Sequence, residues 1–417
     1  MNNREGNPSA QPPDSPMERG PVPGGVCLFF SVLFVLVACG DDSSPAGGEP
    51  AVTDSAGIRI VDHPAALPDS PAWEARVEDG LILDEEFHQV RGALRRADGG
   101  VVVANAGTRE LRFYGPDGEL LRRVGRDGEG PGEFRNLALL ARWPGDSLFV
   151  YDPQLRRATL FGPEGELGRS FSPETTDEVP FANVRGVHGD GSMVATGFVR
   201  MGDQPPDGRL RLPSPAARYR PDGSLAGTLP VEVSNDMYYE SIGGGFRFFT
   251  PIFPLSTRLL AGPGSLVEAS NDTWELRIRE PSGELTGIVR RSLPPAPITD
   301  ALRRRVIQAT LDDQPTGPGR DDYRRALEGM SVPDHLPAYD RVVVDRLDRI
   351  WVEDYEPEPG GREATWTVLG PDGGFVARAL LPRRLEPMDI GEDWVLGVLR
   401  DDFDVETVVL APLVPIG

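Results

Sequence analysis

The chain has 417 residues with a formal charge of −22, 39% apolar side chains, 49 Gly and 42 Pro. Gly and Pro at that density mark turn-rich β structure and exclude a mainly helical protein, and so acidic a field repels phosphate backbones, which excludes nucleic acid as a partner. All 43 basic residues are Arg, which removes lysine Schiff-base chemistry, and the four His (His63, His88, His188, His335) show no metal-ligand spacing.

Residues 26–38, VCLFFSVLFVLVA, form one uncharged apolar block, too short for a membrane span of about 20 residues. It ends in Leu36-Val37-Ala38-Cys39-Gly40, small residues at a cleavage point followed by acids and polar residues. This resembles the bacterial lipoprotein lipobox, which implies cleavage before Cys39 and lipid on its thiol. Residues 1–38 then read as a signal peptide, with a better basic start at Met17. Residues 39–56 read as the lipidated Cys and a flexible tether. Cys27 leaves with the signal, so the mature domain holds neither a thiol nor a disulfide. The address implied is the bacterial cell envelope, on the periplasmic or outer-membrane and cell-surface side, with the membrane as a partner through Cys39.

From residue 57 onward one small pattern recurs. Apolar-alternating runs reverse at Pro116-Asp117-Gly118, Pro163-Glu164-Gly165, Pro221-Asp222-Gly223, Pro281-Ser282-Gly283 and Pro371-Asp372-Gly373. Pro presets φ and Gly accepts positive φ, so each is a tight turn between strands. A second signal precedes it: a polar turn and then a β-rich run, as in Asp98-Gly99-Gly100 before VVVAN and Gly145-Asp146-Ser147 before LFVYD. Further copies stand at Asp190-Gly191-Ser192, Pro263-Gly264-Ser265, Asp348-Arg349 and Glu392-Asp393. From Gly99 to Gly145 is 46 residues, and Gly145 to Gly191 is another 46. That period suits four short strands and their turns. Residues 57–417 are therefore expected to form an all-β, six-bladed β-propeller of four-stranded antiparallel blades. Five Pro-x-Gly turns for six units leave the last unit short of a strand. The N-terminal part supplies it, from Gly57 to Val61 or from Ala75 to Leu83, and closes the ring without an open edge.

Two longer intervals carry insertions. Between units three and four, Tyr238, Tyr239, Phe246, Phe248, Phe249 and Phe253 surround Gly243-Gly244-Gly245, either as core strands with a loop or as a sticky binding loop. Between units four and five, residues 298–333 read as a helical insertion. Thr299 is its N-cap, Leu302, Val306, Ile307 and Leu311 stand at helix spacing, and a second short helix runs from Asp321 to Gly329.

Gly125-Arg126-Asp127-Gly128-Glu129-Gly130-Pro131-Gly132-Glu133-Phe134 lacks the Lys-Ser/Thr of a P-loop and reads as a link between units, with Phe134 as a packing plug. With the preceding Arg112-Phe113-Tyr114-Gly115-Pro116-Asp117-Gly118, it resembles the bacterial six-bladed β-propeller lipoproteins related to NHL-repeat proteins. The segment Tyr323 to Val352 is similar to the same family. The resemblance implies the fold and carries no catalytic residues with it.

The leading functional expectation is a membrane-anchored binding or scaffold module for a small ligand or protein partner, monomeric and more plausibly not an enzyme. The alternative is a metal-dependent lactonase- or lyase-type enzyme using the central channel. No cofactor is expected on the first reading. The second would place a divalent cation such as Ca in the channel on oxygen ligands. Candidate binding residues are those that open or sit within inner strands: Arg91, Arg135, Asn136, Asn183 and Arg185. They suit an anionic or carbonyl ligand unless nearby acids pair with them.

Overall fold

A computed structural model describes residues 48–177, 179–197, 206–242, 245–312, 319–358 and 361–416. The signal segment, Met17 and Cys39 lie outside the described residues. Strands dominate, with two α-helices, α1 (Asp300–Asp312) and α2 (Gly319–Gly329).

The strands form antiparallel meanders. Val90–Arg95, Val101–Asn105, Glu110–Tyr114 and Leu120–Val124 make one four-stranded sheet. Leu139–Trp143, Ser147–Asp152, Arg157–Phe161 and Leu167–Phe171 make another. An eleven-stranded sheet contains two further runs, from Asn183 to Ile242 and from Ser256 to Arg291. They join where Ser234 and Asn235 pair with Thr257 and Ser256. A nine-stranded sheet holds the strands from Val342 to Pro382 and from Leu385 to Pro415.

Meanders pack face to face, which explains the unbroken apolar runs. All of Val101–Asn105 is buried, as is every residue of Ser147–Asp152 after the first, because both faces of these strands are covered. The core clusters link each meander to the next. Phe113 and Leu140 share one cluster, Phe149 and Val184 the next, then Val194 and Leu259, then Val267 and Val342, then Trp366 and Leu385. The succession returns to its start where Leu396 and Val408 pack on Val101 and Tyr114. Each fully buried large apolar side chain contributes about 1.5–3 kcal/mol.

All five Pro-x-Gly turns close as expected, with the Gly amide bonded back to the residue before Pro, as in Gly118 N to Gly115 O at 3.0 Å. The Gly is needed twice over. At Gly165 φ is +86°, and a Cβ would stand 2.9 Å from Phe113 and Val124 of the preceding meander. The Gly-rich link is a self-bonded loop: Glu133 takes Arg126 Nε at 2.7 Å and the Gly130 amide at 2.8 Å, while Phe134 is buried against Phe161.

The N-terminal part closes the structure by the second expected route. Leu81–Ile82 pairs antiparallel with the last strand, Glu406–Pro415. Ala72–Ala75 pairs with that strand as well, and lies parallel to Phe375–Pro382. The alternative donor goes elsewhere: Ile58–His63 adds in parallel to Leu285–Arg291. The tether read over 39–56 also ends sooner, because Ala51–Ser55 already pairs with Ile58–His63.

The insertions lie on one face. In an up-and-down meander, the links between second and third strands and between successive meanders emerge at the same end. There the long Gly208–Tyr219 and Leu225–Ile242 ribbon meets α1 and α2 over a shared core of Phe253, Leu302, Ile307, Leu311 and Leu327. Thr299 caps α1, accepting the Leu302 amide at 3.2 Å. Tyr238, Phe249 and Tyr323 pack into this cap, whereas Phe246 stays 65% exposed at the ribbon end.

Candidate functional site

First strands of successive meanders stand side by side: Val90–Arg95 touches Leu139–Trp143, which touches Asn183–Val187, which touches Ser256–Ala261. Together they enclose an axial channel. A cavity of about 410 Å³ opens at the end opposite the helical cap, where first strands turn into second strands. Its lining draws on the first strand of every meander, through Leu94, Arg142, Arg185, Ala261, Val344 and Asp389.

A buried acid organises this end. Asp389 accepts Arg142 Nη2 at 2.7 Å, Arg346 Nε at 2.9 Å and the Arg95 amide at 2.8 Å. Burial pushes its carboxyl up to about 6, although the Arg142 guanidinium and the Arg95 amide pull the other way. Arg95 and Arg346 also lie over the Trp394 ring, at 5.0 and 4.7 Å. Asp345 is spent on Arg349 and Trp351, at 2.5 and 2.8 Å. His188 donates from Nδ1 to the Gly262 carbonyl at 2.9 Å, and burial holds it below the ordinary imidazole value, so it is neutral near pH 7.

Further arginines stand on the first strands. Arg91 and Arg185 occupy equivalent places in a repeated Val-Arg-Gly, residues 90–92 and 184–186. Each is the extra residue of a β-bulge, with the register shifting between Val90 and Gly92 and between Val184 and Gly186. A bulge re-aims its side chain. The following Gly permits close approach by the neighbouring first strand: a Cβ on Gly92 would stand 2.9 Å from Leu140 Cβ, and one on Gly186 2.6 Å from Ala261 Cβ. Arg185 Nε reaches Thr196 Oγ1 at 2.9 Å. Burial, then the charge of Arg258, holds its guanidinium below the ordinary value. Among the described residues Arg91, Arg185 and Arg258 make no ion pair.

The other sequence candidates are not brought to this group. Arg135 sits on the Gly-rich link and pairs with Asp127 and Glu129, both at 3.3 Å. Asn136 is exposed, its amide bonded to Asp152 at 2.9 Å. Asn183 opens its strand, half-buried. Arg258, Arg142, Arg346 and Asp389 were missed. Arg258 had a signal, standing five residues before Pro263 as Arg185 stands five before Asp190.

Beneath the cap a smaller pocket of about 220 Å³ holds Arg258, Asp236, Asn271, Asp340 and Tyr355. A third, about 680 Å³, lies beside the insertion with an apolar lining that includes Trp274, Leu293, Pro294 and Leu336. Among the described residues no group of three or more His, Cys, Asp or Glu could hold a metal ion, and no helix is long and apolar enough to cross a membrane.

No family model matches the chain, and no curated protein matches its sequence. Solved structures do resemble it. A DUF4221 family member from Bacteroides vulgatus is 10% identical with a TM-score of 0.50, covering 84% of this chain and all of that one. This likeness supports the fold: a β-propeller. A gluconolactonase from Xanthomonas campestris (15% identity, TM-score 0.39, covering 90% of this chain and 99% of its own) is a looser match. So is virginiamycin B lyase from Staphylococcus aureus (10%, 0.40, covering 82% and 100%). Neither bears on the chemistry of this chain.

Proposed function

We propose that the chain is a lipid-anchored, extracytoplasmic β-propeller of six blades, related to the NHL-repeat lipoproteins, whose axial channel binds an anionic ligand. One observation carries the binding role. In a protein of charge −22, Arg91, Arg185 and Arg258 stand on channel-lining strands with no carboxylate partner among the described residues. All three are exposed, so their guanidinium groups are free to donate, and an anion in the channel would supply charge-assisted hydrogen bonds that no carboxylate of the chain supplies. The six first strands that line one cavity support a count of six blades. The Leu-Val-Ala-Cys sequence ending at Cys39 supports the anchor.

The metal-dependent alternative has no such support. The buried acids of the channel are already bonded to Arg, and the buried His188 is held by a backbone carbonyl.

The test has two arms. Cys39→Ala should move the expressed chain from the membrane fraction to the soluble one; retention on membranes would remove the anchor. Isothermal titration of citrate against wild type and Arg185→Ala should show binding that the substitution weakens at least tenfold. Equal heats for both proteins would remove the channel as the site.

A further inference from the structure

Resting on that reading of the channel, we infer that its ligand is a small oligoanion, with two or more anionic groups spaced along the axis. The positive charge is distributed lengthwise. Arg258 lines the pocket beneath the cap, and Arg185 lines the cavity at the opposite end. Yet the two are close enough for the charge of Arg258 to act on Arg185. Arg142 and Arg346 stand at the far mouth, with side chains 39% and 27% exposed, and share the one carboxylate of Asp389. A single carboxylate has two oxygens at one point and engages one stretch of this ladder. A ligand with separated anionic groups engages Arg185 and Arg258 together and screens the repulsion between them.

Most acids along the path are already engaged. Asp389 and Asp345 are each held by two side-chain donors, and Asp236 is paired with Arg209. Asp340 lines the cap-side pocket and is suited to accept a ligand hydroxyl there. The cavities, about 410 and 220 Å³, limit the ligand to small-molecule size. Carboxylates and phosphates both satisfy guanidinium geometry, so the shared chemistry is multivalent negative charge.

The experiment is calorimetric titration of the purified full-length chain with citrate, inorganic triphosphate and acetate at matched ionic strength. Citrate or triphosphate should bind at least tenfold more tightly than acetate, and the preference between them assigns the carboxylate or phosphate source. Arg185→Ala and Arg258→Ala should each abolish that tenfold advantage, while Arg305→Ala on the helical insertion leaves it intact. Thermal unfolding controls for folding: without ligand, Arg258→Ala should melt at or above the wild-type temperature. Acetate binding as tightly as citrate, with Arg185 still required, would overturn the oligoanion and leave the channel reading standing. Multivalent binding insensitive to both substitutions, or no anion binding at all, would overturn both.

Discussion

Arg185 feels the positive charge of Arg258, one first strand away, and that charge adds to burial in lowering its proton affinity. Neither guanidinium has a carboxylate partner among the described residues, so their repulsion is set against the fold. Arg258→Ala should therefore stabilise the ligand-free protein by roughly 0.5–1 kcal/mol in low salt. The gain should shrink as salt screens the pair. Chemical denaturation at two ionic strengths checks this, and a loss of stability at both would contradict it.

Asp152 is buried at the end of its strand and accepts four backbone amides: Arg135 at 2.7 Å and Asn136, Gln154 and Leu155 at 2.9 Å. Asp152→Ala leaves those part-buried donors without their shared acceptor. A loss of about 3–5 kcal/mol is expected, since charge-assisted bonds contribute about 1.5–3 kcal/mol each and do not add fully. Asp152→Asn should recover part of it. Urea unfolding of the two variants decides, and equal stability would show the carboxylate is not what holds the link.

Gly165 and Gly145 separate backbone strain from packing. Both have positive φ, +86° and +74°. Around Gly145 a Cβ meets nothing within 4 Å, so Gly145→Ala should cost about 1 kcal/mol from strain alone. At Gly165 the Cβ meets Phe113, a side chain only 1% exposed that has no room to yield. Gly165→Ala should cost about 2–4 kcal/mol, the overpacking cost added to the strain. Equal melting-temperature drops for the two variants would refute the contact.

Asp389 predicts a pH dependence of definite sign. Its folded carboxyl is raised from 3.8 to about 6, so the native state holds a proton that the unfolded chain releases. Its contribution is complete below about pH 4 and is lost as pH rises through about 6. Asp389→Asn lacks this titration. The wild-type stability advantage over the variant should fall between pH 4.5 and 7.5, by up to about 3 kcal/mol. A difference that stays flat across that range would contradict the raised value.

Much of the fold was readable before any coordinates. The Pro-x-Gly turns, the buried second strands, the N-cap at Thr299 and the plug at Phe134 all depend on near neighbours in sequence. The site was half-readable. Arg91 and Arg185 stood out because they sit within inner strands, but Arg135 looked equivalent and is instead neutralised by Asp127 and Glu129 on its own loop. Arg346 and Asp389 are 43 residues apart, and Arg142 is 247 residues from Asp389, so no local pattern could announce that they meet.

By itself the sequence determined the repeat, its turn chemistry and the lipobox-like Cys39, because spacing and local φ preferences act over a few residues. Tertiary structure alone decided which N-terminal strand completes the last meander, giving the place to Leu81–Ile82 and sending Ile58–His63 to another sheet. Both segments have strand character, and the choice lies in edges and packing faces that exist only once the array has assembled. The same holds for the channel. An Arg in a β-run is paired or bare according to what the neighbouring strands bring, and only closure of the array sets Arg185 within reach of the charge of Arg258.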